Sequence, residues 1–172
     1  MAINKISEKD LSYIAGFFDA DGSAIAQFKA NNTCAQDRPY QIQLTVQFSQ
    51  KLSRRFLLDN FAKIIGAGKV RVREDMADLV IVSARDVCDF LQLIQPLLRL
   101  KQKQANLLIR LVQQMPGAKT DITKFIQLCD LVDQVAGLND SRNRLITGSV
   151  VIAHMRRLLS ELACEQKETS SL

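Results

Sequence analysis

The chain has 172 residues, 47% hydrophobic and 24% charged, the composition of one soluble globular domain (residues 1–172, core about 7–164) able to bury a core. Its formal net charge of +5 is a mild basic excess that suits a polyanionic partner without naming one. Cys34, Cys88, Cys129 and Cys164 are too scattered for a zinc site or disulfide framework, no apolar run approaches the roughly 20 residues of a membrane span, and neither a signal peptide nor an acid-poor transit peptide is expected around Glu8 and Asp10.

The first element spans residues 7–23. Ser7 is placed to cap a helix, and Asp10 completes a capping box three residues on. Leu11, Ile14, Ala15, Phe17 and Phe18 make this helix almost wholly apolar. Gly16 in its middle costs about 1 kcal/mol relative to Ala, which implies close approach of another backbone. The helix runs into Asp19 and Asp21, with Gly22 as its stop. Negative charge at a helix C-terminus opposes the macrodipole, so the two acids imply a cation, a divalent metal first. Asp-Ala-Asp-Gly is also ordinary turn chemistry and does not decide alone. An EF-hand loop is excluded: counted from Asp19, its sixth position is Ala24 instead of Gly and its twelfth Ala30 instead of Glu.

Period-two patterning follows. Residues 23–31 put Ala24, Ala26 and Phe28 on one face and Gln27, Lys29 and Asn31 on the other. After a polar turn, residues 41–48 alternate Ile42, Leu44, Val46 and Phe48 with Gln41, Gln43, Thr45 and Gln47, completing a long hairpin. Ser53 is expected to cap a helix to Ile65 with Phe56, Leu57, Phe61 and Ile64 as its apolar stripe, ended by Gly66-Ala67-Gly68. A second hairpin sets Lys69, Arg71 and Arg73 against Val70 and Val72, turns at 74–77, and continues with Asp78, Val80 and Val82 alternating with Leu79 and Ile81. Helices are expected over 83–95 (closed by Pro96), over 97–115 (broken by Pro116-Gly117), from Asp121 or Thr123 with Phe125 to Val135 buried, and from a Ser149 cap to about Cys164. Residues 165–172 are expected to fray. The order α-ββ-α-ββ-α with helices following is an α+β arrangement built on a four-stranded antiparallel sheet.

One face of the four strands carries Gln, Asn, Lys and Arg with one well-placed acid, Asp78. Open faces of antiparallel sheets are normally polar, but these groups are the ones that pair with bases: Gln and Asn with adenine, Arg and Lys with guanine. A two-stranded ribbon fits the DNA major groove. An RNA-reading sheet would want stacking aromatics there, whereas Phe28 and Phe48 fall on the core side. The single histidine, His154, lies in a late helix and reads as a surface or packing residue, so nucleophilic triads and histidine-metal centres are disfavoured. No phosphate- or dinucleotide-binding glycine motif occurs. Acid-bound metal with basic helpers remains, the toolkit for hydrolysing a phosphodiester.

The stretch Ile14-Ala15-Gly16-Phe17-Phe18-Asp19-Ala20-Asp21-Gly22 resembles the LAGLIDADG motif of homing endonucleases. Gly22-Ser23, Ala26-Gln27, Gln50-Lys51, Arg54-Arg55, the run 100–107, Lys124-Phe125 and the segment 138–141 extend the resemblance to single-motif enzymes encoded in algal organelle introns. The resemblance implies a curved four-stranded sheet that saddles DNA. Only one motif occurs, since 136–140 echoes it without the paired acids, so it implies a homodimer on a long pseudo-palindromic site. Tyr13, Gly16, Phe17 and Ala20 would face the partner.

By the same correspondence, the metal ligands are Asp21 and the Ala20 carbonyl, with Asp19 ranking behind them, and Asp21, Gln50, Arg54 and Lys101 form the catalytic set. Gln27, Lys29, Asn31, Thr33, Gln41, Gln43, Gln47, Arg71, Arg73, Asp78 and Val80 match base-facing positions. Lys103 stands beside the catalytic set, and Lys119, Asp140, Ser141 and Arg142 match phosphate-side positions. Implied too are Mg²⁺ as cofactor (Mn²⁺ substituting, Ca²⁺ binding without cleavage), no small-molecule cofactor, no membrane, staggered double-strand breaks that promote intron mobility, and synthesis in an organelle, the chloroplast before the mitochondrion. The segment 34–40 is longer than the family pattern, and Leu145 and Ile146 replace expected polar phosphate contacts. The alternative is a non-catalytic nucleic-acid binder such as an intron RNA maturase, against which intact Asp21, Gln50 and Lys101 weigh.

Overall fold

Helix α1 (Glu8–Asp21) starts at the expected Ser7 cap, whose Oγ accepts from the Asp10 backbone N–H at 3.1 Å and donates to Asp10 Oδ2 at 2.6 Å. The structure, a computed structural model, describes residues 6–30, 39–118, 121–139, 144 and 146–169. Strands β1 (Gly22–Ala30) and β2 (Tyr40–Lys51) follow, then α2 (Arg55–Ile65), β3 (Lys69–Arg73), β4 (Met76–Ile81), α3 (Ala84–Ile94), α4 (Gln102–Ala118), α5 (Ile122–Gly137) and α6 (Gly148–Thr169). All strand pairs are antiparallel in the order β1-β2-β4-β3. This is the mixed, sheet-plus-helices fold that the patterning predicts.

Helices cover the sheet face that presents Ala24, Ala26, Phe28, Leu44, Val46, Phe48, Ala77, Leu79 and Ile81. Phe48 lies at the middle of the core, its ring 5.4 to 6.1 Å from those of Phe18, Phe61, Phe90 and Phe17. Each such burial contributes about 1.5–3 kcal/mol, and edge-to-face packing adds to it.

Several local expectations change. Gly22 ends α1 in extended backbone, φ −81°, without the left-handed turn of a glycine stop; a Cβ there would stand 2.2 Å from Phe18 Cδ2, so close packing explains the glycine. Ser53 caps nothing: residues 52–54 form a 3-10 turn and α2 starts later, without a side-chain cap. Phe56 is 72% exposed and Leu58 takes the buried place beside Phe61. The turn between β3 and β4 is only Glu74 and Asp75, with Glu74 at φ 48°, so Ala77 belongs to the core and Val82 lies beyond the strand. Helix α4 begins at Gln102, not 97, and runs through Pro116 to Ala118, although the proline has no N–H to give to the Val112 carbonyl. Asp121 caps α5 through the N–H groups of Thr123 and Lys124. Helix α6 starts one residue before Ser149 and extends past 164 to Thr169, so residues 165–169 continue the helix where fraying was expected.

Candidate active site and nucleic-acid interface

Asp21 is exposed at the junction of α1 and β1. Its Oδ2 accepts from Gln50 Nε2 at 3.0 Å, and Gln50 Oε1 accepts from Arg54 Nη1 at 3.5 Å. Gln50 sits two residues after the core residue Phe48, so it projects to the helix side of the sheet and reaches Asp21 instead of the open face. Among the described residues Asp21 Oδ1 has no protein donor.

Asp19 is in the opposite condition. Its Oδ2 accepts from the backbone N–H groups of Arg99 at 2.6 Å and Leu100 at 3.2 Å, and its Oδ1 from that of Lys101 at 3.0 Å. Burial opposes ionisation, but these bonds and the Lys101 charge outweigh it and hold the carboxyl below the usual value. The Lys101 ammonium donates to the Asp19 carbonyl and, at 3.5 Å, to that of Ala20. Part of the cation implied by two acids at a helix C-terminus is therefore the protein's own lysine.

For a divalent ion, one protomer offers the Asp21 carboxylate and the Ala20 carbonyl; no cluster of three or more His, Cys, Asp or Glu occurs among the described residues. Mg²⁺ commonly takes one or two carboxylates and fills its shell with water and substrate phosphate, so this donor set fits such an ion when DNA supplies phosphates. Asp19 already accepts three main-chain N–H groups.

The open sheet face carries Gln27, Lys29, Gln41, Gln43, Gln47, Arg71, Arg73 and Val80, half-buried or exposed. Gln27 Nε2 donates to Gln43 Oε1 across β1 and β2 at 3.1 Å. Asp78, expected to meet bases, is only 3% exposed. Its Oδ1 accepts from Gln47 Nε2 at 3.1 Å and Ser49 Oγ at 2.6 Å, and its Oδ2 from Arg73 Nε at 2.5 Å. The Arg73 hydrogen bond, opposed by burial and assisted by Ser49 and Gln47, keeps Asp78 ionised below the usual carboxylate value. Because Gln47 Nε2 also donates to Ser49 Oγ at 3.1 Å, the amide's donor capacity is spent and its oxygen remains. Arg73 keeps both terminal nitrogens for a ligand.

A groove of about 670 Å³ runs from Asp21 along β1, lined by Gln27, Lys101, Gln104, Asn139 and Arg144 among others. Asn139 Nδ2 ties its segment to the Ala24 carbonyl at 3.0 Å, and Gln104 Nε2 holds the Leu138 carbonyl at 3.1 Å. Arg144 pairs with Asp133 at 2.9 Å and lies 6.0 Å over the Phe28 ring, while Asp133 also accepts the Gly148 N–H at the start of α6. Lys103 is exposed on the first turn of α4. Asn31, Thr33, Lys119, Asp140, Ser141 and Arg142 lie outside the described residues. His154 pairs with Tyr40 Oη at 3.0 Å, its ring edge-on, as a packing residue does. The Cys129 thiol is pushed up to about 12 by burial and by Asp133 and Asp130, which makes it a poor nucleophile.

Sequence reasoning assigned nothing to Ser49, Gln104 or Asn139. Ser49 carries a signal, since it continues the period-two face one step beyond Gln47; the other two act through contacts with distant segments that no local pattern marks.

Comparison with known proteins agrees with this geometry. The family profile described as LAGLIDADG endonuclease matches residues 14–111. The DNA endonuclease I-CreI of Chlamydomonas reinhardtii is 42% identical over 166 residues, which is 96% of this chain and 98% of that protein. The DNA endonuclease I-CvuI of Chlorella vulgaris is 30% identical over 148 residues, 86% and 90% of the two chains. The crystal structure of I-CvuI with the I-CreI target and magnesium aligns with a TM-score of 0.81 at 28% identity, covering 91% of this chain and 96% of that one. The archaeal intron-encoded homing endonuclease I-Vdi141I, complexed with DNA, shares the fold with a TM-score of 0.77 at 16% identity, covering 87% and 96%. With the motif helix, the four-stranded sheet and these matches together, the chain belongs to the LAGLIDADG endonuclease family.

Proposed function

We propose that this protein is a site-specific, Mg²⁺-dependent DNA homing endonuclease acting as a homodimer. The observation that carries the reading is one exposed carboxylate, Asp21, oriented by Gln50 where the motif helix meets a sheet whose open face bears Gln and Arg side chains. When bound at Asp21 and the Ala20 carbonyl, a divalent cation would supply Lewis-acid stabilisation of charge developing on the phosphodiester. Gln50 keeps the Asp21 carboxylate turned toward the groove, and Arg54 keeps the Gln50 amide turned toward Asp21. Lys101 presents an ammonium, restrained by two carbonyls, to a phosphate oxygen in the groove. Arg71, Arg73, Gln47, Gln43, Gln27, Gln41 and Lys29 read base edges, while Asn31, Thr33 and the phosphate-side Lys119, Asp140, Ser141 and Arg142 are assigned by resemblance alone. By the resemblance to single-motif enzymes of algal organelle introns, we place this protein in an organelle, the chloroplast before the mitochondrion.

The dimer reading rests on α1. Tyr13, at 56% exposure, stands with Gly16 and Ala20 on its outer side, opposite buried Ile14, Ala15 and Phe18; Phe17 is half-buried between Phe48 and Phe61. A Cβ at Gly16 would meet nothing within 4 Å, so the glycine has no reason inside one protomer. A second copy of α1 packed here supplies one. Gly16→Leu is expected to give a folded monomer in analytical ultracentrifugation; a dimer as tight as the wild type would refute this interface.

The function itself is tested by incubating the protein with a randomised duplex library and Mg²⁺ and sequencing the cut ends. A single pseudo-palindromic site with staggered ends is expected. Cutting without sequence preference, or none with Mg²⁺ or Mn²⁺ present, would refute it.

A further inference from the structure

The first acid of the motif has a different task from the second. After Leu98 the chain does not continue into helix: residues 99–101 bring three consecutive backbone N–H groups onto the Asp19 carboxylate. Only then does α4 begin, with the Ala105 N–H donating to the Lys101 carbonyl at 3.0 Å. Lys101 thus holds the cap position of α4, and the three N–H groups that lead into the helix, its own included, are held by the carboxylate at the end of α1. The same residue's ammonium returns to the carbonyls of Asp19 and Ala20. Backbone and side chain of Lys101 are both fixed to the last turn of α1, two residues from Asp21.

We propose that Asp19 is the positioning residue for Lys101: it sets the distance between the lysine ammonium and the Asp21 carboxylate, and it does not ligate the divalent ion. This rests on the reading of Lys101 as a catalytic group at the phosphate. Three main-chain donors and the turn they build already direct the Asp19 carboxylate at residues 99–101, away from an open site such as that of Asp21 Oδ1. These bonds join the end of α1 to the entry of α4, so their loss translates into misplacement of a reacting group, and about 1 Å of misplacement can cost about 100-fold in rate.

The experiment uses the duplex recovered in the library selection and full-length Asp19→Asn, Lys101→Met and the double variant. Single-turnover cleavage, the Mg²⁺ concentration for half-maximal rate, duplex affinity and Tm are measured for each. Expected are a loss of about 100-fold or more for Lys101→Met, about 10–100-fold for Asp19→Asn, and no further loss in the double variant, with Mg²⁺ half-saturation and affinity unchanged. A Mg²⁺ half-saturation raised severalfold in Asp19→Asn would make Asp19 a ligand and overturn the proposal. So would losses that multiply in the double variant. Wild-type cleavage by Lys101→Met would instead remove the catalytic reading of Lys101, and the proposal with it. Should Asp19→Asn fail to fold, Asp19→Glu keeps the charge and acceptor oxygens, and the same non-multiplication with Lys101→Met is expected; its absence counts against the proposal equally.

Discussion

Asp19 and Asp78 each accept three hydrogen bonds, and each stands beside a less occupied group that faces the outside. Asp19 is held by backbone N–H groups and lies next to open Asp21; Asp78 is held by Gln47, Ser49 and Arg73 and lies next to their free polar atoms. The difference is in what each carboxylate fixes. Main-chain donors cannot change rotamer, so the region around Asp19 has one geometry. The partners of Asp78 are side chains on two neighbouring strands, β2 and β3, and a substitution in any one re-aims the others. Chemistry that must occur at one distance is built on backbone, while a surface that selects among sequences is built on side chains.

The sharpest way to break this contrast is at the open acid. Asp21→Asn is expected to keep duplex affinity and lower single-turnover cleavage by at least about 100-fold, since it removes the carboxylate charge proposed to hold the divalent ion at the phosphate. Undiminished cleavage would mean that the oriented carboxylate is not the catalytic one. A smaller effect is expected from Asp78→Ala. Freed from Nε pairing, Arg73 loses its fixed aim, and Gln47 regains donors; discrimination at the bases beneath them should fall by about 1–3 kcal/mol each, with cleavage of the best site nearly intact. Cleavage profiles over all single-base target variants measure this, and a uniform loss over all sites would make Asp78 a support of the fold alone.

The gentlest probe is pH. Asp78 titrates below the usual carboxylate value in the folded chain, mainly through Arg73. Its stabilisation is therefore fully present above the unfolded pKa of about 4 and lost as pH falls through the lower folded value. The Tm of the wild type should fall more steeply below pH about 4 than that of Asp78→Asn, with parallel behaviour between pH about 5 and 7. Parallel curves throughout would mean that the pairing adds nothing to folding.

Much of this was legible in the residues. Alternation in 41–48 places Gln43 and Gln47 opposite Leu44 and Phe48 because a strand has only two faces. Asp21 stood out because its charge sits at the wrong end of a helix. What escaped was tertiary. The start of α4 lies at 102 instead of 97, and residues 99–101 give their N–H groups to Asp19, eighty residues upstream, a contact that no local pattern marks. Phe56 is apolar enough to be expected inward, but at about 3.6 residues per turn it falls off the face that Leu58 and Phe61 share, and it is exposed. Asp78 matched a base-facing position, but the cross-strand neighbours that consume its oxygens are invisible until β2 and β4 are paired.

The order of strands has one more outcome. With β1 and β3 at the margins, each leaves a row of backbone groups able to recruit a foreign strand. On the β1 side α5 packs alongside and Asn139 occupies the Ala24 carbonyl. On the β3 side the strand is five residues long and reads Lys-Val-Arg-Val-Arg, with every charged side chain exposed. Like charges stacked edge to edge repel, so Lys69, Arg71 and Arg73 also keep free protein molecules from zipping together into aggregates. Redesigning this strand for a new target sequence by removing its cations would trade away solubility along with specificity.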